Sequence, residues 1–156
     1  MFGKSTLVVS LSAALIATAG FAASHSSKSS NAAVVARHAQ MQMIGYHTGL
    51  LGAIAKGEAE YDAGTVKAAA ANLNALAKMN GATLWIEGTA QGQVDGSRAK
   101  AEIWSDPAGF AGKFAALEKA SMDMMNAGDA AAVGAGMAGI GGACKGCHET
   151  YRGPKN

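Results

Sequence analysis

The two cysteines of this 156-residue chain, Cys144 and Cys147, lie three positions apart near its C-terminus, and His148 follows immediately. A pair this close cannot tie distant parts of the chain together, which excludes a framework of several disulfides. The fold must therefore rest on hydrophobic packing. Residues three and four apart share one face of an α-helix, so this spacing predicts one local site with all three side chains.

The pattern C-x-x-C-H at positions 144–148 is the one that attaches c-type haem. On a helix, both thiols can reach the vinyl groups on one edge of a porphyrin, and His148 can bind the iron. Three other sites use similar residues. A thioredoxin-like pair needs a strand before its helix, a zinc site needs about four ligands, and a local disulfide leaves His148 without a role. The pattern therefore favours one covalent haem c.

The composition indicates a helical protein. The chain holds 36 Ala and 2 Pro, hydrophobic residues make up 49% of it, and aromatic residues make up 6%. Alanine favours helices, whereas sheets rely on β-branched and aromatic side chains. Charged residues account for 15% and the formal net charge is +2. These values exclude a disordered chain and a nucleic-acid binder that depends on phosphate contacts.

The N-terminal segment has the order of a secretory signal peptide. Lys4 precedes a short apolar run at residues 6–19, and small residues follow it. We expect cleavage after Ala22, with Ala19 and Ala23 as alternative positions. The run is short for a membrane span, and an uncleaved anchor is the competing interpretation. No second apolar segment of spanning length follows, so the mature protein is expected in a bacterial periplasm.

After a flexible polar tether at residues 23–31, the domain at residues 32–156 shows four stretches of helical periodicity. Helices are predicted at about 32–56, 63–79, 107–127 and 129–151. Residues 82–105 have no sustained period and predict a long loop with short ordered pieces, held by Trp85 and Trp104. Four helices without a strand pattern predict an all-α, antiparallel four-helix bundle, with the haem motif on its last helix.

The last predicted helix is unusually rich in glycine, and each interior glycine weakens a helix. Two explanations are open. The first is a poorly formed helix start, and the second is close approach of the backbone to a neighbouring helix or to a flat ligand.

Three segments carry a resemblance to a known family: ACKGCHETYR (143–152), EIWSD (102–106) and KGEAEYDA (56–63). With a haem motif near the C-terminus of an exported bundle, the chain resembles the class II c-type cytochromes, the cytochrome c prime family. The resemblance covers essentially the mature chain. It implies that Cys144 and Cys147 form thioethers to haem c and that His148 is the proximal iron ligand. It also implies that Arg37 approaches a haem propionate and that Arg152 lies near the proximal side of the haem and a propionate.

The residue four positions after Arg37 divides that family. The resemblance implies an apolar blocking residue there, often Leu, in high-spin members, and an iron-binding Met in the low-spin branch. This chain has Met41 at that position, which predicts an iron bound by His148 and Met41. Two competing interpretations are a methionine that only fills the core and His38 as the second ligand.

Iron that keeps two protein ligands suits an electron carrier, so we predict a periplasmic carrier that works with redox partner proteins and is not an enzyme. The alternative is a high-spin protein that binds nitric oxide or carbon monoxide, with Met41 packed over the open iron face. A third option is a haem that serves mainly as a folding core. The resemblance also admits a homodimer.

Overall fold

The computed structural model describes residues 29–155, which form five α-helices and no β-strand. The helices are α1 (Ala32–Ala55), α2 (Ala63–Ala77), α3 (Glu102–Ser105), α4 (Pro107–Met124) and α5 (Ala130–Tyr151). The four long helices lie within a few residues of the predicted ranges. The prediction of an all-α fold is confirmed.

The four long helices pack in a ring. α1 contacts α2 and α5, and α4 also contacts α2 and α5. Short links at residues 56–62 and 125–129 make the helices of each linked pair antiparallel neighbours. The side chains at the centre of the ring are almost fully buried: Leu51, Leu73, Met124, Val133 and Ile140.

Each long helix begins at a residue whose side chain accepts backbone N–H groups that have no partner inside the helix. Asn31 accepts from Ala33 and Val34 at the start of α1. Three aspartates do the same for the other helices: Asp62 for α2, Asp106 for α4 and Asp129 for α5. Asn31, Asp62 and Asp106 immediately precede predicted helix starts, and Asp129 is itself the predicted start of the last helix.

Glycines let α5 approach α4 closely. A Cβ atom built on Gly136 would lie 2.7 Å from Met124 Cε, and one on Gly139 would lie 3.4 Å from Ala120 Cβ. Of the two explanations for the glycine-rich segment, close helix packing is the one that holds at these positions. The helix is continuous from Ala130, so its start is not poorly formed.

The long connection between α2 and α4 contains short ordered pieces, as predicted. A 3-10 turn lies at Gly81–Thr83, and α3 is a single turn. The indole Nε1 of Trp104 donates to the carbonyl of Trp85 at 2.9 Å. This hydrogen bond holds the two ends of the connection together.

The predicted signal peptide at residues 1–22 and most of the predicted tether lie outside the described residues. Among the helices that the structure describes, none is both long and apolar enough to cross a membrane.

Leu73 lies on α2, and its side chain is completely buried in the core of the bundle. We expect Leu73→Ala to lower the free energy of unfolding by about 3 kcal/mol, because it removes buried methyl groups and leaves a cavity. Urea denaturation of the holoprotein measures the change. Met79→Ala, at a side chain 47% exposed, is the control and should change stability little. Equal losses in both variants would contradict the assigned core.

Two of the N-cap carboxylates, those of Asp62 and Asp106, should make the stability of the protein depend on pH. Hydrogen bonds from Thr65 lower the pKa of Asp62, and hydrogen bonds from Tyr151 and Gly109 lower the pKa of Asp106. The ionised carboxylates therefore stabilise the folded protein. This stabilisation is fully present above the ordinary pKa of 3.8, and it is lost as pH falls through the lowered pKa of each group. Asp62→Asn keeps a cap that does not titrate, so the loss of stability in acid should become shallower. Urea midpoints measured from neutral to acidic pH test this, and an unchanged slope would refute it.

Candidate functional site

A cavity of about 770 Å³ opens between α1 and α5, with further walls from α4 and the long connection. All six residues that the sequence predicts for the site line it: Arg37, Met41, Cys144, Cys147, His148 and Arg152. They come from opposite ends of the chain. The fold therefore brings the predicted residues around one space.

The α5 wall carries the three side chains of the C-x-x-C-H pattern. Cys144 and Cys147 are free and partly buried, and burial raises the pKa of both thiols. Burial lowers the pKa of His148, and the positive charges of Arg152 and Arg98 lower it further. The imidazole is therefore neutral at physiological pH, with a lone pair available for a metal ion.

The α1 wall is largely apolar. Val34 and Ile44 are buried there, and the side chain of Met41 is half-buried beside them. Gly45 and Gly49 also line the cavity, and a Cβ atom built on either would meet no atom within 4 Å. A flat group can therefore lie against the bare backbone of α1. The high glycine content of the last helix does not predict this surface, whereas the spacing of Gly45 and Gly49, four positions apart on one face of α1, is a signal for it.

Arg37 is a buried cation at one end of the cavity, only 4% exposed. Its Nη2 donates to the carbonyl of Thr89 at 3.2 Å, and its guanidinium lies 5.0 Å from the ring centre of Trp85. Its Nη1 is buried without a hydrogen-bond partner, and burial lowers the pKa of the group. An unsatisfied buried guanidinium fits a carboxylate, so it suits a haem propionate.

The sequence does not predict several basic residues that line the cavity, among them Arg98 and Lys113. Arg98 and Lys113 line the cavity from the long connection and from α4. Arg98 donates through Nε and Nη2 to the carbonyl of Gly153, at 3.0 and 2.7 Å, which holds the chain beyond α5. No local pattern marks either residue, because tertiary folding alone brings Arg98 near His148 and Lys113 near Cys147.

The histidines of α1 differ in position. His38, the rival ligand, lines the cavity but its side chain is exposed. His47 is buried and is not among the lining residues. Met43 is 47% exposed, as expected for a residue that faces away from Met41. Among these candidates on α1, Met41 has the surroundings that best suit an apolar haem pocket.

Comparison with known proteins places these features in a family. The family described as Cytochrome C' matches residues 32–152. Cytochrome c-554 from Cereibacter sphaeroides is 40% identical over 118 residues, which cover 74% of this chain and 77% of the relative.

Solved structures agree with the four-helix bundle. Cytochrome c' from Rhodobacter Spheriodes has a TM-score of 0.73 and 36% identity, covering 78% of this chain and 95% of that one. The nitric oxide complex of the L16I mutant of cytochrome c prime from Alcaligenes xylosoxidans has a TM-score of 0.67 and 32% identity, covering 78% and 94%. This chain therefore belongs to the cytochrome c' family of class II c-type cytochromes, whose members bind covalently attached haem c.

Proposed function

We propose that Cys144 and Cys147 hold one haem c and that His148 is its proximal iron ligand. The three side chains lie within two turns of α5 and line the same cavity. In forming a thioether, the S–H group of each cysteine adds across one vinyl group, so both sulfurs must be reduced beforehand. Arg37 and Arg152 bind the propionates in this arrangement, and the unpartnered Nη1 of Arg37 supports that role.

We further propose that the protein binds a small diatomic gas, nitric oxide or carbon monoxide, on the α1 side of the haem. The observation that carries this proposal is the apolar, glycine-lined α1 wall. Around Met41, the side chains of Val34 and Ile44 offer no hydrogen bond to water, so this part of the wall favours an apolar ligand. The haem iron would supply the coordination position. The family match and a neighbour solved with nitric oxide support this alternative over the electron carrier that the sequence predicts first.

Electron transfer is the second candidate function, and Met41 is the observation that favours it. Met41 lines the cavity from α1, whereas His148 lines it from α5. If that sulfur binds the iron, both axial positions stay filled while the iron changes oxidation state, which suits exchange with redox partner proteins.

We propose export to the periplasm through the signal peptide at residues 1–22, where reduced cysteines receive haem. In neither candidate function does the protein act as an enzyme. A homodimer through α1 is supported by Val35, Met43 and Tyr46, whose side chains are 47%, 47% and 60% exposed.

The absorption spectrum separates the two functions. We expect the purified ferrous holoprotein to show a broad, high-spin spectrum that shifts readily with carbon monoxide, because the gas meets an open iron position. A sharp low-spin α band, together with a weak far-red band of the ferric protein from sulfur ligation, would instead identify Met41 as a ligand and favour the carrier.

Substitution of Met41 tests the α1 wall directly. If Met41 only packs over the iron, Met41→Ala should keep the spin state and raise the association rate of carbon monoxide severalfold, because it removes a blocking side chain. Met43→Ala is the matched control on the exposed face of α1 and should leave the rate unchanged. Flash photolysis measures the rates. A switch from low spin to high spin in Met41→Ala would show that the sulfur is bound to iron.

A further inference from the structure

Tyr151 is the last residue of α5 and lies three positions after His148. Its side chain is 3% exposed and packs against Phe110 of α4, with their ring centres 5.2 Å apart. Residues three apart share one face of a helix, so whatever holds Tyr151 also holds the turn that carries the imidazole.

A single carboxylate joins this turn to α4. The phenol of Tyr151 donates to Asp106 Oδ2 at 2.6 Å, and Gly109 N donates to Asp106 Oδ1 at 3.0 Å. Asp106 is the N-cap of α4. The first turn of α4 and the last turn of α5 therefore depend on the same side chain.

The backbone around Tyr151 is held as well. Lys100 N donates to the Tyr151 carbonyl at 3.0 Å, and Ala99 forms an isolated antiparallel bridge with Arg152. Room for the phenol depends on Gly109, since a Cβ atom built there would lie 2.6 Å from the Tyr151 oxygen. The end of α5 is thus held from two sides, and the phenol hydroxyl makes a hydrogen bond to the N-cap of α4.

We propose that Tyr151 is a positioning residue for His148: its hydrogen bond to Asp106 fixes the last turn of α5 and thereby sets how the imidazole meets the haem iron. The inference rests on the proposed role of His148 as proximal ligand. Without the hydrogen bond, the last turn loosens and water reaches the proximal side of the haem. Water stabilises the more positively charged ferric state, so the midpoint potential falls.

The test compares two tyrosines in the holoprotein. Tyr151→Phe keeps the aromatic packing and removes only the hydroxyl, and we expect a lower midpoint potential by spectroelectrochemical titration. Tyr61→Phe is the matched control, because the Tyr61 hydroxyl also joins two parts of the bundle, donating to the Ala127 carbonyl at 3.0 Å. It should leave the potential unchanged. A Tyr151→Phe protein with the wild-type potential, or equal shifts in both variants, would overturn the proposal.

A second variant disturbs the same hydrogen bond without changing either partner. The methyl group of Gly109→Ala crowds both Tyr151 and Asp106 and forces them apart, so the potential should fall here too. An unchanged potential overturns the proposal even if Tyr151→Phe fails to fold. The pyridine haemochrome spectrum of the wild type is recorded first. Absence of covalent haem c there would refute the proposed function itself, and the role of Tyr151 with it.

Discussion

The bundle must keep a space of about 770 Å³ open between two of its helices while the rest stays closely packed. Protein interiors tolerate voids poorly, and an unfilled apolar cavity costs stability in proportion to its size. α1 and α5 therefore serve two purposes, since each buries one face in the core and turns another toward the cavity. The core side chains of α2 and α4 complete the packing, and a haem in the cavity adds the contacts that the protein itself lacks.

Helix geometry explains how so few residues define the site. Arg37 and Met41 are one turn apart on α1, and Cys144 and His148 are one turn apart on α5. One helix can therefore present a group for the edge of a cofactor and a group for its centre on a single face. The two pairs have the same spacing of four residues. The two candidate functions, gas binding and electron transfer, differ in a single interaction, which is whether the sulfur of Met41 binds the iron.

Most of the fold follows from local patterns. The N-cap aspartates, the helical periodicity and the C-x-x-C-H run act within a few residues of the chain, so the sequence predicts them well. Arg98 and Lys113 reach the cavity through tertiary folding, and the pairing of Tyr151 with Asp106 joins positions 45 residues apart. No local spacing encodes such contacts. The glycine content of α5 raises the possibility that this helix lies close to a flat ligand, whereas Gly45 and Gly49 of α1 line the cavity.

The buried guanidinium of Arg37 has a consequence for how the protein matures. A cation enclosed with an unsatisfied N–H group destabilises the chain until an anion arrives to pair with it. Because the folded chain alone places this guanidinium beside the haem, a propionate that pairs with it would stabilise the folded state of the chain that carries haem. Proteases act on unfolded molecules, so chains that miss the cofactor are removed faster than those that receive it. If a propionate pairs with Arg37, this one arginine contributes to a longer lifetime of the chains that carry haem.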